Sequence, residues 1–114
     1  MKSGWVVPTE LREEWKLTIG KSEDKLPALL KDLGQIDMFI HDSEHSYENM
    51  IWEYRVVWSN LKLGGILLSD DVNFNDAFWD FSRETKIRPV LILPQIAGLK
   101  KNLNTARRAK YFKK

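Results

Sequence analysis

The stretch that decides the fold is IDMFIHDSEHSYE, residues 36–48. It opens with a short apolar run, which predicts a strand buried in a sheet. The run stops at Asp42, and four ionisable groups then lie within seven residues: Asp42, Glu44, His45 and Glu48. Open α/β sheets place their ligands beyond the carboxyl ends of strands, so this abrupt change marks a candidate ligand-binding edge.

A second unit of the same design follows at residues 64–71, with the sequence GGILLSDD. Residues 47–61 join the two units, and their apolar side chains recur at helical spacing. A strand–helix–strand unit predicts neighbouring parallel strands, so we expect Asp42, Asp70 and Asp71 at one edge of the sheet. The apolar stripe of the connecting helix consists of Met50, Ile51, Tyr54, Val57, Trp58 and Leu61.

Other segments on both sides of this unit carry strand or helix patterns. Alternating and β-branched residues predict strands, whereas capping residues and a 3.6-residue period predict helices. The further predicted elements are a strand at 15–19, a helix at 22–33, a helix from Asn73 or Asn75 to about Thr85, a strand at 88–94 and a hairpin return at 95–102.

The alternation of strands and helices predicts the α/β fold class. We expect a truncated Rossmann-like sheet that is mostly parallel, with a C-terminal antiparallel hairpin and helices on both faces. The 114 residues suffice for one partial domain. It would comprise an N-terminal segment at 1–14, an α/β core at 15–102 and a basic tail at 103–114.

The composition is typical of a globular protein in the cytoplasm. The chain has no cysteine, which excludes disulfides, thiolate metal sites and a cysteine nucleophile. No window approaches the roughly 20 apolar residues of a membrane span, and the N-terminus lacks a signal-peptide pattern. We therefore expect a cytoplasmic location and no membrane partner.

The net charge of +2 conceals an asymmetry. Residues 1–84 hold 16 acidic against 9 basic side chains, a net charge of −7, while residues 85–114 hold 9 basic side chains and no acid, a net charge of +9. Such a tail can bind nucleic acid or an acidic partner, or neutralise the acidic body of its own or a neighbouring chain. Without Arg-Gly repeats or interleaved aromatic residues, the pattern argues against nucleic acid and favours a homo-oligomer.

The charged residues at the strand ends can be interpreted chemically in two ways. Carboxylates of Asp42, Asp70 and Asp71 suit a hard divalent ion such as Mg²⁺, and His45 beside them could act as a general base. In the alternative interpretation, Asp70 and Asp71 cap the next turn and His45 caps the helix that begins at Tyr47.

The remaining polar and aromatic side chains are expected to be structural. His41 lies within the strand and is predicted to be a core histidine. The exposed tryptophans would mark a contact surface. We expect solvated side chains at Glu53, Arg55, Asp76 and Asp80, and exposed ones at Trp52 and Trp79.

Taken together, these motifs resemble the class I S-adenosylmethionine-dependent methyltransferases. The similarity covers about residues 15–100. The matching branch has a D-x-x-H-S-Y-E element after its fourth strand and a G-G-x-x-x-x-D-D element on its fifth. These elements match residues 42–48 and 64–71, and Gly20-Lys21-Ser22 with Leu26-Pro27 is similar to the branch's loop after the third strand.

The resemblance implies a fold, an activity and a set of site residues. The activity would be O- or N-methylation of a small-molecule acceptor. Gly20, Lys21 and Ser22 would lie near the adenine of S-adenosylmethionine, and Asp42 and Ser43 near its methionine end. By the same resemblance, the implied Mg²⁺ ligands are Asp42, Asp70 and Asp71, with His45 as the catalytic base.

Two family elements are missing from the sequence. No G-x-G pattern occurs, and no acid follows a second strand to bind the ribose hydroxyls. The chain is therefore expected to correspond to the C-terminal half of such an enzyme, with cofactor binding that is weak or dependent on a partner chain. The alternative function is a non-catalytic module that dimerises through its unfilled sheet edge or binds an acidic partner with its basic tail.

Overall fold

The computed structural model describes residues 6–102. Predicted elements at 22–33, 36–41 and 47–61 are confirmed within a residue, whereas the basic tail at 103–114 lies outside the described residues. In this part of the chain, no helix has the length and apolar character needed to cross a membrane. The elements are α1 (Thr9–Arg12), α2 (Ser22–Leu33), β1 (Ile36–His41), α3 (Tyr47–Asn60), β2 (Leu61–Ser69), α4 (Ala77–Thr85), β3 (Val90–Leu93) and β4 (Ile96–Lys100).

The four strands form one mixed sheet in the order β1-β2-β4-β3. β1 and β2 are parallel, as the connecting helix α3 requires, and His41 pairs with Ser69 at their carboxyl ends. β4 runs antiparallel to both β2 and β3. The α/β class and the C-terminal hairpin are therefore confirmed, but the sheet is mixed rather than mostly parallel, because two of its three strand pairs are antiparallel.

The predicted strand at residues 15–19 is wrong. This segment has no regular secondary structure, and Trp15, Leu17 and Ile19 are 37%, 48% and 72% exposed. β1 forms the edge of the sheet, and no described segment pairs with its outer side. Alternation and β-branching describe a segment that can be a strand, but a strand also needs a partner for its backbone groups.

One face of the sheet carries the core. α3 packs against β1 and β2, and α2 and α4 flank α3. On the opposite face of β1, Met38 and Ile40 are 49% and 62% exposed. In the described residues the packed helices thus form one layer, on one face of the sheet, so the expectation of helices on both faces is wrong for this part of the chain. The core consists of Met50, Ile51, Tyr54, Leu61, Leu67, Val72, Ala77, Phe78, Phe81, Ala97 and Leu99.

Both ends of α3 are capped by side chains. At its start, the Ser46 hydroxyl accepts a hydrogen bond from the backbone N–H of Asn49 at 3.3 Å. At its end, the Trp58 carbonyl accepts from the backbone N–H of Leu61, and the Lys101 ammonium donates to the carbonyls of Trp58 and Leu61 at 2.7 and 2.9 Å. α3 is therefore fixed firmly between the end of β1 and the start of β2.

Candidate active site

Four side chains meet beyond the carboxyl ends of β1 and β2. One ligand atom from each of Asp42, His45, Asp70 and Asp71 lies within 4.8 Å of the others. Asp42 directly follows β1, and Asp70 and Asp71 directly follow β2. Because the two strands end in register, these side chains lie at the same edge of the sheet. We refer to these four residues as the acidic group; it holds all three carboxylates that the sequence singled out, together with the predicted base.

His45 lies at the centre of the acidic group. Its Nε2 is 3.1 Å from Asp71 Oδ2 and 3.9 Å from Asp42 Oδ1. The Asp42 side chain is 68% exposed and that of Asp71 is 39% exposed, so the group opens to solvent. Asp71 has a φ of 53°, in the left-handed region, which Asp and Asn adopt more readily than most residues. An exposed set of oxygen and imidazole ligands can accept a hydrated ion or a polar substrate.

The capping alternative fails for His45, since Ser46 is the residue that caps α3. Neither of the two asparagines predicted to cap the next helix is its N-cap, which is Asp76, but Asn75 Oδ1 accepts from the backbone N–H of Ala77, the first residue of α4, at 2.8 Å. Asn75 also donates to the backbone carbonyl of His45 at 2.9 Å. It therefore ties the loop that carries His45 to the start of α4.

A cleft of ≈ 330 Å³ lies beside the acidic group. One of its walls is the loop that leads into α2, residues 20–23, and the other is the loop after β1, residues 43–44. Four of the five predicted cofactor-binding residues line it: Gly20, Lys21, Ser22 and Ser43. The fifth, Asp42, belongs to the acidic group instead.

Three further residues of the cleft were not predicted from the sequence: Glu23, Glu44 and Asn49. They also line an adjoining cleft of ≈ 450 Å³, to which Trp52 contributes a half-buried ring. Asn49 lies one turn into α3 on the side that faces the loop after β1. Whether Asn49 lines the cleft depends on the path of the loop after β1, which the sequence does not give. The sequence alone therefore did not reveal its role.

The prediction that Glu53 is solvated is wrong. Its side chain is 4% exposed, and Oε2 lies 3.3 Å from Nδ1 of His41. Burial raises the pKa of this carboxyl, but the contacts from His41, Ser43 and Asn49 outweigh burial and lower the pKa below its ordinary value. A signal was present in the sequence, because Glu53 falls within the apolar stripe of α3, between Met50 and Val57.

The predictions for His41, Trp52 and Trp79 have different outcomes. His41 is fully buried, as expected of a core histidine, and its ring packs edge-on against Tyr54 at 5.4 Å between centroids. Trp52 and Trp79, which we expected to be exposed, are both half-buried. Trp79 packs against the core, with its ring 5.1 Å from that of Phe78. A tryptophan off the main stripe can still cover the margin of a small core.

Comparison with known proteins identifies a family whose model covers these strand ends and the cleft. A family model described as a methyltransferase domain matches residues 2–72, more than half of the chain. The chain belongs to this methyltransferase family. A search of curated proteins found no match. The match ends just after Asp71, so it includes both walls of the cleft and every member of the acidic group.

The methyltransferase family uses S-adenosylmethionine as its methyl donor, and the cleft can be compared with that molecule. The hydroxyls of Ser22 and Ser43 and the amide of Asn49 offer polar groups of the kind an adenosine requires, in a space of ≈ 330 Å³. No glycine-rich element that could hold the amino-acid end occurs in the sequence. The described residues thus fit the adenosine part of the donor better than its methionine part.

The acidic group can likewise be compared with a divalent ion. Its ligand atoms lie within 4.8 Å of one another, close to the span of opposite ligands around one ion with metal–oxygen distances of about 2.0–2.6 Å. The three carboxylates form a donor set that suits Mg²⁺ or Mn²⁺, and the imidazole of His45 lies beside them. These residues of the methyltransferase domain fit such an ion.

Proposed function

We propose that this chain is an S-adenosylmethionine-dependent methyltransferase domain that acts on an oxygen or nitrogen atom of a small-molecule acceptor. In this proposal the cleft holds the adenosine of the donor, and the acidic group holds Mg²⁺ and the acceptor. The observation that carries it is the adjacency of the two sites: Ser43 lines the cleft, and Asp42, next to it in the chain, belongs to the acidic group.

The residues of the acidic group have distinct roles in the proposed reaction. S-adenosylmethionine, when bound, supplies a methyl group activated by its sulfonium. Asp42, Asp70 and Asp71 would hold Mg²⁺, whose charge makes an acceptor hydroxyl easier to deprotonate. His45 would take that proton, and the Asp71 carboxylate, 3.1 Å from Nε2, stabilises the imidazolium that forms. Holding the acceptor beside the donor makes the transfer effectively unimolecular.

Calorimetric titration with S-adenosylmethionine tests this function. We expect weak binding by the isolated chain, with a dissociation constant above about 10 µM, because no glycine-rich loop supplies backbone amides to the donor's amino-acid end. Adenosine alone should retain most of the affinity, since the cleft offers contacts to that part. A dissociation constant for S-adenosylmethionine below about 10 µM would contradict the inference that the donor site is incomplete.

The alternative function is a non-catalytic module that forms a homo-oligomer. Two observations favour it: no described strand pairs with the outer edge of β1, and Met38 and Ile40 are exposed on the face of the sheet opposite the core. A free strand edge is a template for a second chain. Absence of S-adenosylmethionine binding at about 1 mM, together with a mass in light scattering of twice 13.4 kDa, would favour this module over the enzyme.

Metal binding gives a separate prediction. Millimolar Mg²⁺ or Mn²⁺ should raise the melting temperature of the wild-type chain by a few degrees, because the ion relieves repulsion among the three carboxylates. The double variant Asp70→Asn/Asp71→Asn should lose this shift. Asn at position 71 tolerates the left-handed backbone, so the variant should keep its fold.

The matched control is Asp32→Asn/Asp76→Asn. It removes the same two charges from exposed positions outside the acidic group, and it should retain the full metal-dependent shift. Equal shifts in wild type and in Asp70→Asn/Asp71→Asn would show that the ion binds elsewhere, and the metal part of the proposal would be abandoned.

A further inference from the structure

A carboxylate is buried beneath the loop that separates the cleft from the acidic group. Glu53 is 3% exposed and lies between Met50 and Tyr54, which are fully buried. A buried charge is costly unless it is paired and hydrogen-bonded. The contacts that stabilise this one therefore indicate what it holds in place.

The contacts to Glu53 converge on one oxygen atom. The Ser43 hydroxyl donates to Oε2 at 2.5 Å, and the Asn49 amide donates to the same oxygen at 2.7 Å. His41 Nδ1 lies 3.3 Å from it. The three partners come from the end of β1, from the loop after β1 and from α3. One charged oxygen thus fixes that loop relative to its strand and its helix.

Asn49 extends this network to both walls of the cleft. Its amide nitrogen also donates to the backbone carbonyl of Glu44 at 3.0 Å, on the wall formed by residues 43–44. Its Oδ1 accepts from the Ser22 hydroxyl at 3.4 Å, on the wall formed by residues 20–23. The orientation of the Asn49 amide is set by its bond to Glu53, because only the NH₂ end can donate to a carboxylate.

We propose that Glu53 is a positioning residue that holds the two walls of the cleft at a fixed separation, directly through Ser43 and indirectly through Asn49. It touches neither donor nor acceptor. Its role toward a bound adenosine rests on the proposed function, whereas its control of the two loops does not. Loss of the Glu53 charge should loosen both walls together, although they are separated by about twenty residues of sequence.

Amide hydrogen exchange on the ligand-free chain tests this coupling. Glu53→Gln retains the shape of the side chain but removes the charge and one acceptor. We expect exchange at residues 20–23 and 42–46 to accelerate about tenfold or more, as the loss of hydrogen bonds to a charged group predicts. Exchange in β2, at residues 67–69, should change much less, which separates loosened walls from general destabilisation.

Two single-contact variants resolve the network. Ser43→Ala should accelerate exchange at residues 42–46 and leave residues 20–23 unchanged, because the Asn49 contacts persist. Asn49→Ala should accelerate exchange at residues 20–23 with the Glu53 charge still in place. If Glu53→Gln has no cooperative melting transition, Asn49→Ala provides the test of the coupling.

The matched control is Glu84→Gln, which removes a glutamate from a surface ion pair with Arg55. It should leave exchange at both walls unchanged. Unchanged exchange at residues 20–23 in both Glu53→Gln and Asn49→Ala would overturn the proposal. Adenosine titration then addresses the function separately: weaker binding by Glu53→Gln than by wild type supports the positioning role, and failure of the wild type to bind would contradict the proposed function alone.

Discussion

Replacement of Phe78 by alanine should lower the free energy of unfolding by about 3–5 kcal/mol, the usual cost of removing a phenylalanine from a packed core. Phe78 is fully buried, and its ring meets Tyr54 edge-on at 6.0 Å and Trp79 at 5.1 Å. The cavity would open where α4 packs on α3. Since whole domains are stable by only about 5–15 kcal/mol, urea denaturation should show a large fall in midpoint.

The chain contains a matched control for this variant. Phe74 is 69% exposed, so Phe74→Ala removes the same atoms from a site that is already in water. Its effect on the free energy of unfolding should be within about 0.5 kcal/mol. If both variants lowered stability equally, Phe78 would not be part of the core, and the packing of α4 on α3 described above would be wrong.

The second large effect should appear at alkaline pH. Burial raises the pKa of the Tyr54 hydroxyl to about 12, against an ordinary value of 10.0. The folded chain therefore retains this proton more tightly than the unfolded chain. The resulting stability is fully present below pH 10 and is lost as the pH rises through 12. A shift of this size corresponds to about 2–3 kcal/mol.

Urea denaturation at several pH values, on wild type and on Tyr54→Phe, measures this contribution. The wild-type free energy of unfolding should fall between about pH 9 and 12 by about 2 kcal/mol more than that of the variant. Tyr47→Phe serves as the control. Tyr47 is 38% exposed and donates to Asp80, so its removal should leave most of the alkaline loss in place. Parallel pH profiles for wild type and Tyr54→Phe would contradict the buried state of this hydroxyl.

Elements with a strong local signal were predicted correctly from the sequence. The periodic stripe of α3 and the apolar run of β1 each specify their element, and the parallel pairing of β1 and β2 follows from the helix between them. Asp70 and Asp71 could be assigned to the same edge as Asp42 for the same reason. The residues that determine these elements and their pairing all lie between positions 36 and 71. The burial expected of β1 is wrong, because β1 is an edge strand with Met38 and Ile40 exposed.

Features that depend on distant partners could not be predicted in this way. Residues 15–19 have the pattern of a strand, but nothing in that pattern shows whether another strand lies beside them. The charge of Glu53 predicted a solvated face, and its position in the apolar stripe of α3 does not show that Ser43 and His41 lie against it once the loop after β1 packs over α3. Local patterns predict elements, whereas the environment of a side chain depends on how those elements meet.

The Lys101 contacts at the end of α3 have a practical consequence for experiments on this chain. β4 runs away from Asp70, because Ala97 pairs with Ser69 and Lys100 pairs with Ile66, and Lys101 then donates to the carbonyls of Trp58 and Leu61 where α3 meets β2. The polypeptide therefore leaves the sheet on the side away from the acidic group and the cleft. A fluorophore or a surface tether attached at residue 102 would therefore lie on that side of the sheet. Binding measurements made through such an attachment should leave access to the cleft unobstructed.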